Sequence, residues 1–424
     1  MMNHYLFELR CGVMTYAWGK IGADSEVAKL KASVDPTFKI DPTEKYAELW
    51  MGTHPNCPSY AVRKGKEDVA LLDWIEANPD SLGQKVKDYF KMKLPFLFKV
   101  LSVRTSLSIQ THPNKADAEE LFRKRPDLYK DDNHKPELAI ALTPFVGLCG
   151  FRPITEIADY FQRIEELRNV VGPQLCVKLM TNSRSLTPQT HCEAMRATFS
   201  GLIEKEKETV KIELEKLVKK VQAMKKKGED ISPYVGDILL KLHEEFPGDA
   251  GAFAIYFLNV VRLQPGEAMF LRARIPHAYL SGDCMECMAC SDNVVRAGLT
   301  FKYIDKHTLV SMLDYVGYPM NRMKFVGVED VNDITVTSFH PADIVDFGVA
   351  KYEAPPKVKE FRMAPLQSAS ISIVIQGKGK ASNSTLPDPI ELRRGTVFFM
   401  AAMQEVTINL ADEGMLLFRA YSTI

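Results

Sequence analysis

The sequence has no long hydrophobic run of the kind that enters or crosses a membrane. A transmembrane helix needs about 20 predominantly apolar residues, and no window of the sequence meets that requirement. The first residues, MMNHYLFELRCGV, also do not place a basic region before a long apolar stretch, as a secretory signal does. We therefore expect a cytoplasmic protein with no membrane partner.

The chain lacks an excess of either charge. Lysine plus arginine and aspartate plus glutamate both number 54, so the formal net charge is +0 at pH 7. No overall field would then attract nucleic acid or an anionic membrane, and neither is expected as a partner. A phosphorylated ligand would have to be bound by a local group of cations.

Cysteine is too sparse and too scattered for a disulfide framework. The 8 cysteines are spread over 424 residues, which indicates a reducing compartment. Cys284, Cys287 and Cys290 do have the C-x-x-C-x-x-C spacing of an iron–sulfur ligand set. Because no fourth cysteine follows nearby, we interpret these residues as buried thiols.

The sequence is rich in β-strand patterns, and one helical segment interrupts them. Residues 326–424 alternate short apolar runs with turn residues, as sandwiches and barrels do. Residues 155–250 instead show helical periodicity, and an apolar stripe in them has separations of seven, four, three, four and three. Glutamates interleave with the lysines of this segment, which favours a solvated outer face. The stripe consists of Ile203, Val210, Leu214, Leu217, Val221 and Met224.

A short internal repeat predicts two related β modules. The segments LQPGEAMFLRARIPHAYL and LRRGTVFFMAAMQEVTIN share Leu-x-x-Gly and a similar apolar rhythm. Aligning Gly266 with Gly395 places His277 opposite Val406, so the second module would lack a histidine at this position. We predict a mainly β chain divided into a first β module (1–154 and 251–325), a helical insertion (155–250) and a second β module (326–424).

Candidate metal ligands lie between Leu107 and Pro153. Gln110 and His112 are two positions apart, so on a β-strand their side chains share a face. Glu137 opens the apolar run ELAIALTPFVGL, at the mouth of a second predicted strand. Zinc accepts such nitrogen and oxygen ligands, and a catalytic zinc site keeps one position open. The spacing also fits a chance Gln-x-His pair with a hydrogen-bonded histidine, and a fourth ligand must come from elsewhere.

Several long motifs resemble those of type I phosphomannose isomerases, which belong to the cupin superfamily. They are CGVMTYAWGKIG, YAELWMGTHPNCPS, SLSIQTHPNK, NHKPELAIALTPFVGLCGFRP and LQPGEAMFLRARIPHAYLSGDCMECMACSDNVVRAGLT. The resemblance implies two cupin-like jelly-roll modules, of which the first is catalytic and the second has no metal ligands, plus an α-helical domain. It also implies one zinc ion per chain. By motif, the zinc ligands would be Gln110, His112, Glu137 and His277.

The resemblance also implies a reaction and roles for further residues. A zinc-dependent isomerase would interconvert mannose 6-phosphate and fructose 6-phosphate by proton transfer through an enediolate, feeding GDP-mannose metabolism. Arg296 would be catalytic, since a permanent cation can hold an oxyanion or the phosphate but cannot serve as the base. Lys135 and Asp292 are candidates for proton transfer. Candidates for substrate binding are Lys99 and Ser108 at the phosphate, and Tyr279 and Glu286 in the cavity wall.

Two sequence features depart from the family pattern, and two other functions stay open. Phe301 stands where the family usually has proline after AGLT, and the insertion is weakly matched. One alternative is a non-catalytic cupin that binds sugar phosphates, and another is an iron-dependent cupin oxygenase, which the Gln and Glu ligands disfavour. The expected partner is a small sugar phosphate, and the chain is expected to be a monomer or a weak homo-oligomer. His54 is interpreted as a loop histidine.

Overall fold

A computed structural model describes residues 5–63 and 65–424 of the chain. Strands occupy both ends of the chain, and helices are concentrated between residues 154 and 254. Within the described ranges, no helix combines the length and the apolar character that a bilayer span requires. The predicted fold class, mainly β with a helical insertion, is confirmed.

The strands follow one another along the chain with short turns or helices between them. In order they are β1 (Leu6–Arg10), β2 (Gly12–Met14), β3 (Lys20–Ile21), β4 (Lys45–Tyr46), β5 (Glu48–Met51), β6 (Tyr60–Ala61), β7 (Val69–Ala70), β8 (Phe96–Val103), β9 (Ile109–Thr111), β10 (Glu137–Ala141), β11 (Phe145–Phe151), β12 (Leu258–Leu263), β13 (Ala268–Leu271), β14 (His277–Ala289), β15 (Val295–Gly298), β16 (Val328–Val331), β17 (Thr335–Phe339), β18 (Gly348–Ala354), β19 (Glu360–Met363), β20 (Ser370–Ser382), β21 (Ile390–Leu392), β22 (Val397–Met400) and β23 (Val406–Tyr421).

The helices include a continuous set that forms the insertion. In order they are α1 (Glu26–Val34), α2 (Leu71–Ala77), α3 (Gln84–Tyr89), α4 (Lys115–Lys124), α5 (Ile154–Arg163), α6 (Glu165–Val171), α7 (Pro173–Asn182), α8 (Pro188–Glu204), α9 (Lys207–Lys226), α10 (Gly236–Glu245), α11 (Gly251–Ala254) and α12 (Lys306–Met312), with 3-10 turns at Gly22–Asp24, Pro79–Leu82, Ser232–Tyr234 and Met320–Met323.

The apolar stripe predicted between residues 203 and 224 is shared by two helices. Ile203 belongs to α8, which ends at Glu204, and the remaining members belong to α9, which begins at Lys207. Lys205 and Glu206 are extended, so the chain changes direction between the two helices. The stripe is continuous in period but belongs to two helices, and buried side chains of both helices pack in the same core.

The first sheet has the order β12-β11-β14-β8-β5-β2, and β9, β10, β13 and β15 join it. Its longest strand, β14, pairs with β11 near its start and with β8 and β10 along the rest. Gly282 marks the corner between these two parts, with φ +114°, and a Cβ there would lie 2.6 Å from the Pro144 carbonyl oxygen. Glycine is therefore required where β14 bends.

The second sheet has the order β16-β17-β18-β23-β20-β22-β1-β6-β7, and β19 and β21 join it. Its strand β1 comes from the other end of the chain, since Leu6 pairs with Met400 of β22. β6 and β7 extend the sheet beyond β1. The predicted domain bounds stay a prediction. Strand pairing crosses these bounds, because strands within 1–154 complete the sheet of residues 326–424.

The internal repeat has a structural counterpart. Gly266 and Gly395 share φ +87°, and each lies two residues before a strand, β13 or β22. The next long strands, β14 and β23, begin at His277 and Val406. The aligned positions are thus equivalent in the fold, and the second module has a buried valine where the first has an imidazole.

The three neighbouring cysteines do not face one site. Cys284 and Cys287 are buried in β14, where a separation of three residues places them on opposite faces. Cys284 packs in the core of the first sheet, whereas Cys287 packs in the core shared with the second sheet. Burial raises the pKa of the Cys290 thiol to about 12. These cysteines are therefore protonated packing residues.

Candidate active site

Strand register places three candidate residues side by side at the open end of the first sheet. Gln110 of β9 is opposite His277 at the start of β14, and on its other side it is opposite Arg296 of β15. Residues directly opposite one another in antiparallel strands project from the same face. Gln110, His277 and Arg296 therefore share one face, although Gln110 and Arg296 are 186 positions apart in the sequence.

Three potential ligands converge in a buried cluster. Glu137 Oε1 lies 3.4 Å from His112 Nε2, and Glu137 Oε2 lies 3.4 Å from His277 Nε2. The ligand atoms of the three residues all lie within 4.8 Å of one another. All three residues are buried. The fold therefore brings together donor atoms that come from three separate parts of the chain.

Backbone carbonyls fix the tautomer of both histidines. His112 Nδ1 lies 2.7 Å from the Asn293 carbonyl oxygen, and His277 Nδ1 lies 3.0 Å from the Ile275 carbonyl oxygen. A carbonyl oxygen can only accept, so each Nδ1 carries the hydrogen. In a neutral imidazole the lone pair is then on Nε2 and points to the carboxylate of Glu137.

The two imidazoles and the carboxylate present only hydrogen-bond acceptors to one another, and no donor hydrogen lies between them. In the described part of the chain, His112 Nε2, His277 Nε2 and Glu137 Oε2 have no hydrogen-bond partner. Buried acceptors without a partner carry a substantial free-energy cost. A divalent cation satisfies all three at once, and two imidazoles with one carboxylate are a common ligand set of catalytic zinc. The residues present therefore fit the zinc ion that the sequence predicts.

His112 and Glu137 are in the protonation states that a metal requires. Burial lowers the pKa of His112 to about 4, which keeps its imidazole neutral at pH 7. Burial alone would raise the pKa of Glu137, but attraction to the Lys135 ammonium holds it below its ordinary value. Lys135 Nζ lies 3.4 Å from Glu137 Oε1. Gln110, which is half-buried and paired with His277, is the candidate fourth ligand.

We expect zinc to stay bound as the pH falls from 7 to about 5 and to dissociate as His112 becomes protonated near pH 4. The unfolded chain takes up this proton near 6.5, so the metal-free protein should lose stability as the pH falls from 6.5 towards 4. The measurement is zinc content after dialysis at each pH. Zinc release with a midpoint near 6.5 would show that His112 titrates like an exposed imidazole.

A second group of buried polar residues crosses the same sheet. Trp50, Lys99 and Glu286 are directly opposite one another on β5, β8 and β14. Lys99 Nζ lies 3.1 Å from Glu286 Oε2 and 5.0 Å from the centre of the Trp50 ring. The Tyr279 hydroxyl donates to Glu286 Oε1 over 2.8 Å. Glu48 accepts from the Trp50 indole and lies 4.0 Å from Lys99.

The lysine of this group balances the carboxylates around it. Burial would lower the pKa of Lys99, but Glu48 and Glu286 raise it. Burial raises the pKa of Glu286, and attraction to Lys99 limits that rise. Burial also raises the pKa of Tyr279 well above its ordinary value, which keeps the hydroxyl a donor. Lys99, Tyr279 and Glu286 thus form a connected polar wall.

Replacing Lys99 by methionine should lower the free energy of unfolding by about 3–5 kcal/mol at pH 7, because buried carboxylates lose their cation. The pKa of Glu286 is raised in the folded chain, so its contribution to stability is greatest below 4.5 and is lost as the pH rises. Without the lysine charge the pKa of Glu286 rises further. The loss of unfolding free energy in Lys99→Met should therefore be smaller at acidic pH. Denaturant unfolding at pH 4 and pH 7 tests this.

The matched control for Lys99 is Lys324→Met, because Lys324 pairs with Glu267 at 2.7 Å but is partly exposed. An exposed pair contributes roughly 0–1 kcal/mol, so the control should change stability little at either pH. Equal losses in the two variants would mean that the carboxylates around Lys99 do not depend on its charge.

Arg296 is a half-buried cation that other elements hold in place. Among the described residues, it has no ion-pair partner, and burial lowers the pKa of its guanidinium. The turn that follows is fixed by Asp249, whose carboxylate accepts from the backbone nitrogens of Leu299 at 2.9 Å and Thr300 at 3.3 Å. The Phe301 side chain is 90% exposed and packs against Phe246. The turn therefore accommodates Phe301 without bringing its ring into the site.

Asp292 lies at the exposed rim of the site, on the loop before Arg296. Its Oδ1 lies 3.6 Å from Nε2 of His54, and this contact lowers the pKa of the Asp292 carboxyl. His54 also packs edge-on against Trp50 at 4.9 Å. The loop histidine of the sequence analysis therefore contacts a candidate catalytic group, and a separation of 238 positions leaves no spacing signal for such a pair.

Sequence reasoning also missed Glu48 and Asn293. Glu48 does leave a signal, because it is a carboxylate in the otherwise apolar strand run AELWM. Asn293 leaves none, since an asparagine beside a loop is ordinary. Ser108 is half-buried directly before β9, and its side chain makes no hydrogen bond within the described residues.

Family models and whole-chain comparisons agree with this geometry. The catalytic domain of type I phosphomannose isomerase matches residues 6–154, and its helical insertion domain matches residues 170–258. Mannose-6-phosphate isomerase of Macaca fascicularis is 47% identical over 416 residues, covering 98% of each chain. The Bos taurus protein of that name is 48% identical over 421 residues, covering 99% of each chain.

Solved structures show the same similarity. A mutant of phosphomannose isomerase from Salmonella typhimurium has a TM-score of 0.82 at 29% identity, with 99% of this chain and 100% of that chain covered. A zinc-bound mannose 6-phosphate isomerase has a TM-score of 0.81 at 30% identity, with the same coverage. The similarity thus extends over both modules and the insertion.

Proposed function

The chain belongs to the type I phosphomannose isomerase family, and we propose that it interconverts mannose 6-phosphate and fructose 6-phosphate with one zinc ion. One observation carries the proposal. His112 Nε2, His277 Nε2 and Glu137 lie together in a buried cluster in which no hydrogen is available between them. Gln110 completes the ligand set, which leaves a net charge of about +1 with zinc, suited to an anionic intermediate. Zinc bound here supplies a Lewis acid that stabilises negative charge on sugar oxygens.

Arg296 supplies the positive charge that the protein itself contributes. Its guanidinium shares a face with Gln110 and His277 and has no ion-pair partner in the described chain, so it is free to bind an anion. A guanidinium binds phosphate or enediolate oxygens through two parallel hydrogen bonds. Ser108, two positions before Gln110, is the second proposed phosphate contact.

Lys135 is the proposed carrier of the proton that moves between C1 and C2 of the sugar. Its Nζ lies 3.4 Å from Glu137, whereas the Asp292 side chain is 55% exposed at the rim. A proton carrier must lie within hydrogen-bond reach of the reacting carbons, which favours Lys135 for the enediolate step. Asp292, with His54 beside it, is placed to exchange protons with solvent.

The polar wall binds the sugar hydroxyls. Glu286 accepts from Lys99 and Tyr279, which fixes all three side chains before substrate arrives. Such fixed groups orient a flexible sugar at little entropic cost. Lys99 is committed to Glu286, so its proposed contribution is to hold the Glu286 carboxylate in place for the substrate.

The cellular setting remains part of the proposal. We propose a cytoplasmic enzyme that acts as a monomer or weak homo-oligomer and feeds GDP-mannose metabolism. The cysteines support a reducing compartment, because all 8 are free.

The test is formation of fructose 6-phosphate from mannose 6-phosphate by the protein as purified, after chelation, and after zinc is restored. We expect activity to vanish on chelation and to return with zinc. Zinc at full occupancy without turnover would instead show a sugar-phosphate-binding protein. Iron as the bound metal, with oxygen consumption, would show an oxygenase.

A further inference from the structure

One buried asparagine joins the two loops that border the metal cluster. Asn293 is 1% exposed, and its Nδ2 donates to the carbonyl oxygens of Asp131 at 2.7 Å and Asn133 at 3.1 Å. Its Oδ1 accepts from the backbone nitrogen of Lys130 over 3.2 Å. The amide thus uses both ends to hold residues 130–133, the loop that leads into Lys135 and Glu137.

Further bonds connect the same two loops. Asp131 Oδ2 accepts from the backbone nitrogen of Asp292 at 2.7 Å. Asn133 Nδ2 donates to the Cys290 carbonyl at 3.0 Å, and Ser291 Oγ donates to the Asn133 carbonyl at 3.1 Å. Loop 130–133 and loop 290–293 therefore behave as one hydrogen-bonded unit, which we call the loop clasp.

The loop clasp ends on a metal ligand. The carbonyl oxygen of Asn293 accepts from His112 Nδ1 at 2.7 Å, so the position of this carbonyl fixes the tautomer and the ring orientation of His112. His277 is held differently, because its Nδ1 donates to the carbonyl oxygen of Ile275, which is only two residues before it in the chain. Of the two imidazoles, His112 alone depends on a partner 181 residues distant.

We infer that Asn293 is a positioning residue of the metal centre: its side chain holds the carbonyl that keeps His112 Nε2 available to zinc. The inference rests on the proposed zinc site and extends it to a group outside the ligand set. Loss of such a supporting hydrogen bond weakens metal binding by on the order of 10–100-fold. The side chain touches neither zinc nor sugar, so its effect appears first in zinc affinity.

The test compares Asn293→Ala with Asn259→Ala. Asn259 is also fully buried and donates to three backbone carbonyls, those of Gly150 at 3.4 Å, Phe151 at 3.0 Å and Tyr318 at 2.9 Å. None of these carbonyls accepts from an imidazole of the metal cluster. Each substitution therefore removes a buried amide that donates to backbone carbonyls, and only the Asn293 amide is connected to His112.

Two measurements are made on the full chain. Zinc affinity is measured by competition with a chromophoric chelator, and the tautomer of His112 is read from imidazole ¹⁵N shifts of the zinc-free protein, assigned with His112→Gln. We expect Asn293→Ala to weaken zinc binding by on the order of 10–100-fold and to mix the His112 tautomers, while Asn259→Ala changes neither.

Unchanged zinc affinity and an unchanged tautomer in Asn293→Ala would overturn the inference. Wild-type protein that binds no zinc would refute the proposed function, and the ¹⁵N shifts would still decide whether Asn293 controls His112. If Asn293→Ala does not fold, Asp131→Ala is measured instead. Asp131 is a partly exposed residue of the loop clasp, so its loss should disturb folding less. A smaller loss of zinc affinity there supports the inference, and no loss contradicts it.

Discussion

Replacing Glu137 by glutamine should abolish stoichiometric zinc binding and reduce turnover by on the order of a thousandfold, equivalent to about 4 kcal/mol of transition-state stabilisation. The carboxylate is the one acidic ligand and lies between the two imidazoles. A glutamine amide would donate towards His112 or His277 Nε2 and occupy the lone pairs that zinc needs. The metal-free variant should therefore fold normally while its zinc content, measured by mass spectrometry of metals, falls to near zero.

The control for Glu137 is Glu267→Gln, a carboxylate of the same module that pairs with Lys324 on a partly exposed turn. This variant should keep zinc and turnover. A Glu137→Gln protein that retained stoichiometric zinc with full turnover would refute both the ligand assignment and the role of the buried acceptor cluster.

Replacing Arg296 by alanine should reduce kcat/KM by on the order of a hundredfold to a thousandfold while zinc stays bound. Arg296 is half-buried, has no ion-pair partner in the described chain, and lies beside Gln110 in the sheet. Its loss removes the cation that faces the developing negative charge. Arg296→Lys restores the charge but not the paired hydrogen bonds, and it should recover only part of the lost activity.

Arg362→Ala is the matched control, since Arg362 forms an exposed ion pair with Glu405 in the second module. It should leave kcat/KM unchanged. Loss of zinc together with activity in Arg296→Ala would assign Arg296 to the structure of the metal centre and would contradict a role at the substrate. If Arg296→Ala keeps zinc but loses turnover, the role of Arg296 differs from that of Glu137, whose replacement should remove the zinc.

Local patterns in the sequence were sufficient for part of the site. The two-residue spacing of Gln110 and His112 predicted a shared direction, and Gln110 lies in a strand with His112 directly after it. The helical insertion and the repeat at Gly266 and Gly395 were also predictable, because helical period and a glycine turn are properties of short segments. His277 required the family resemblance, since only the fold brings it to Glu137.

The remaining features depend on packing between distant segments. No local pattern links His54 to Asp292 or Asn293 to His112, because these contacts form only after separate loops pack together. The break between α8 and α9 was likewise not predictable, since the apolar period continues through the extended residues 205–206. Such features follow from tertiary structure, and periodicity carries no information about them.

The pairing of Leu6 with Met400 has a consequence for the order of folding. β1 lies between β22 and β6, so the second sheet cannot close until the last strands have left the ribosome. During synthesis, β1 must wait for a partner that is almost the whole chain away, and contacts of such high contact order form slowly. The nascent chain therefore exposes one unpaired edge of β1 for most of its synthesis, and an unpaired edge can pair with the wrong chain.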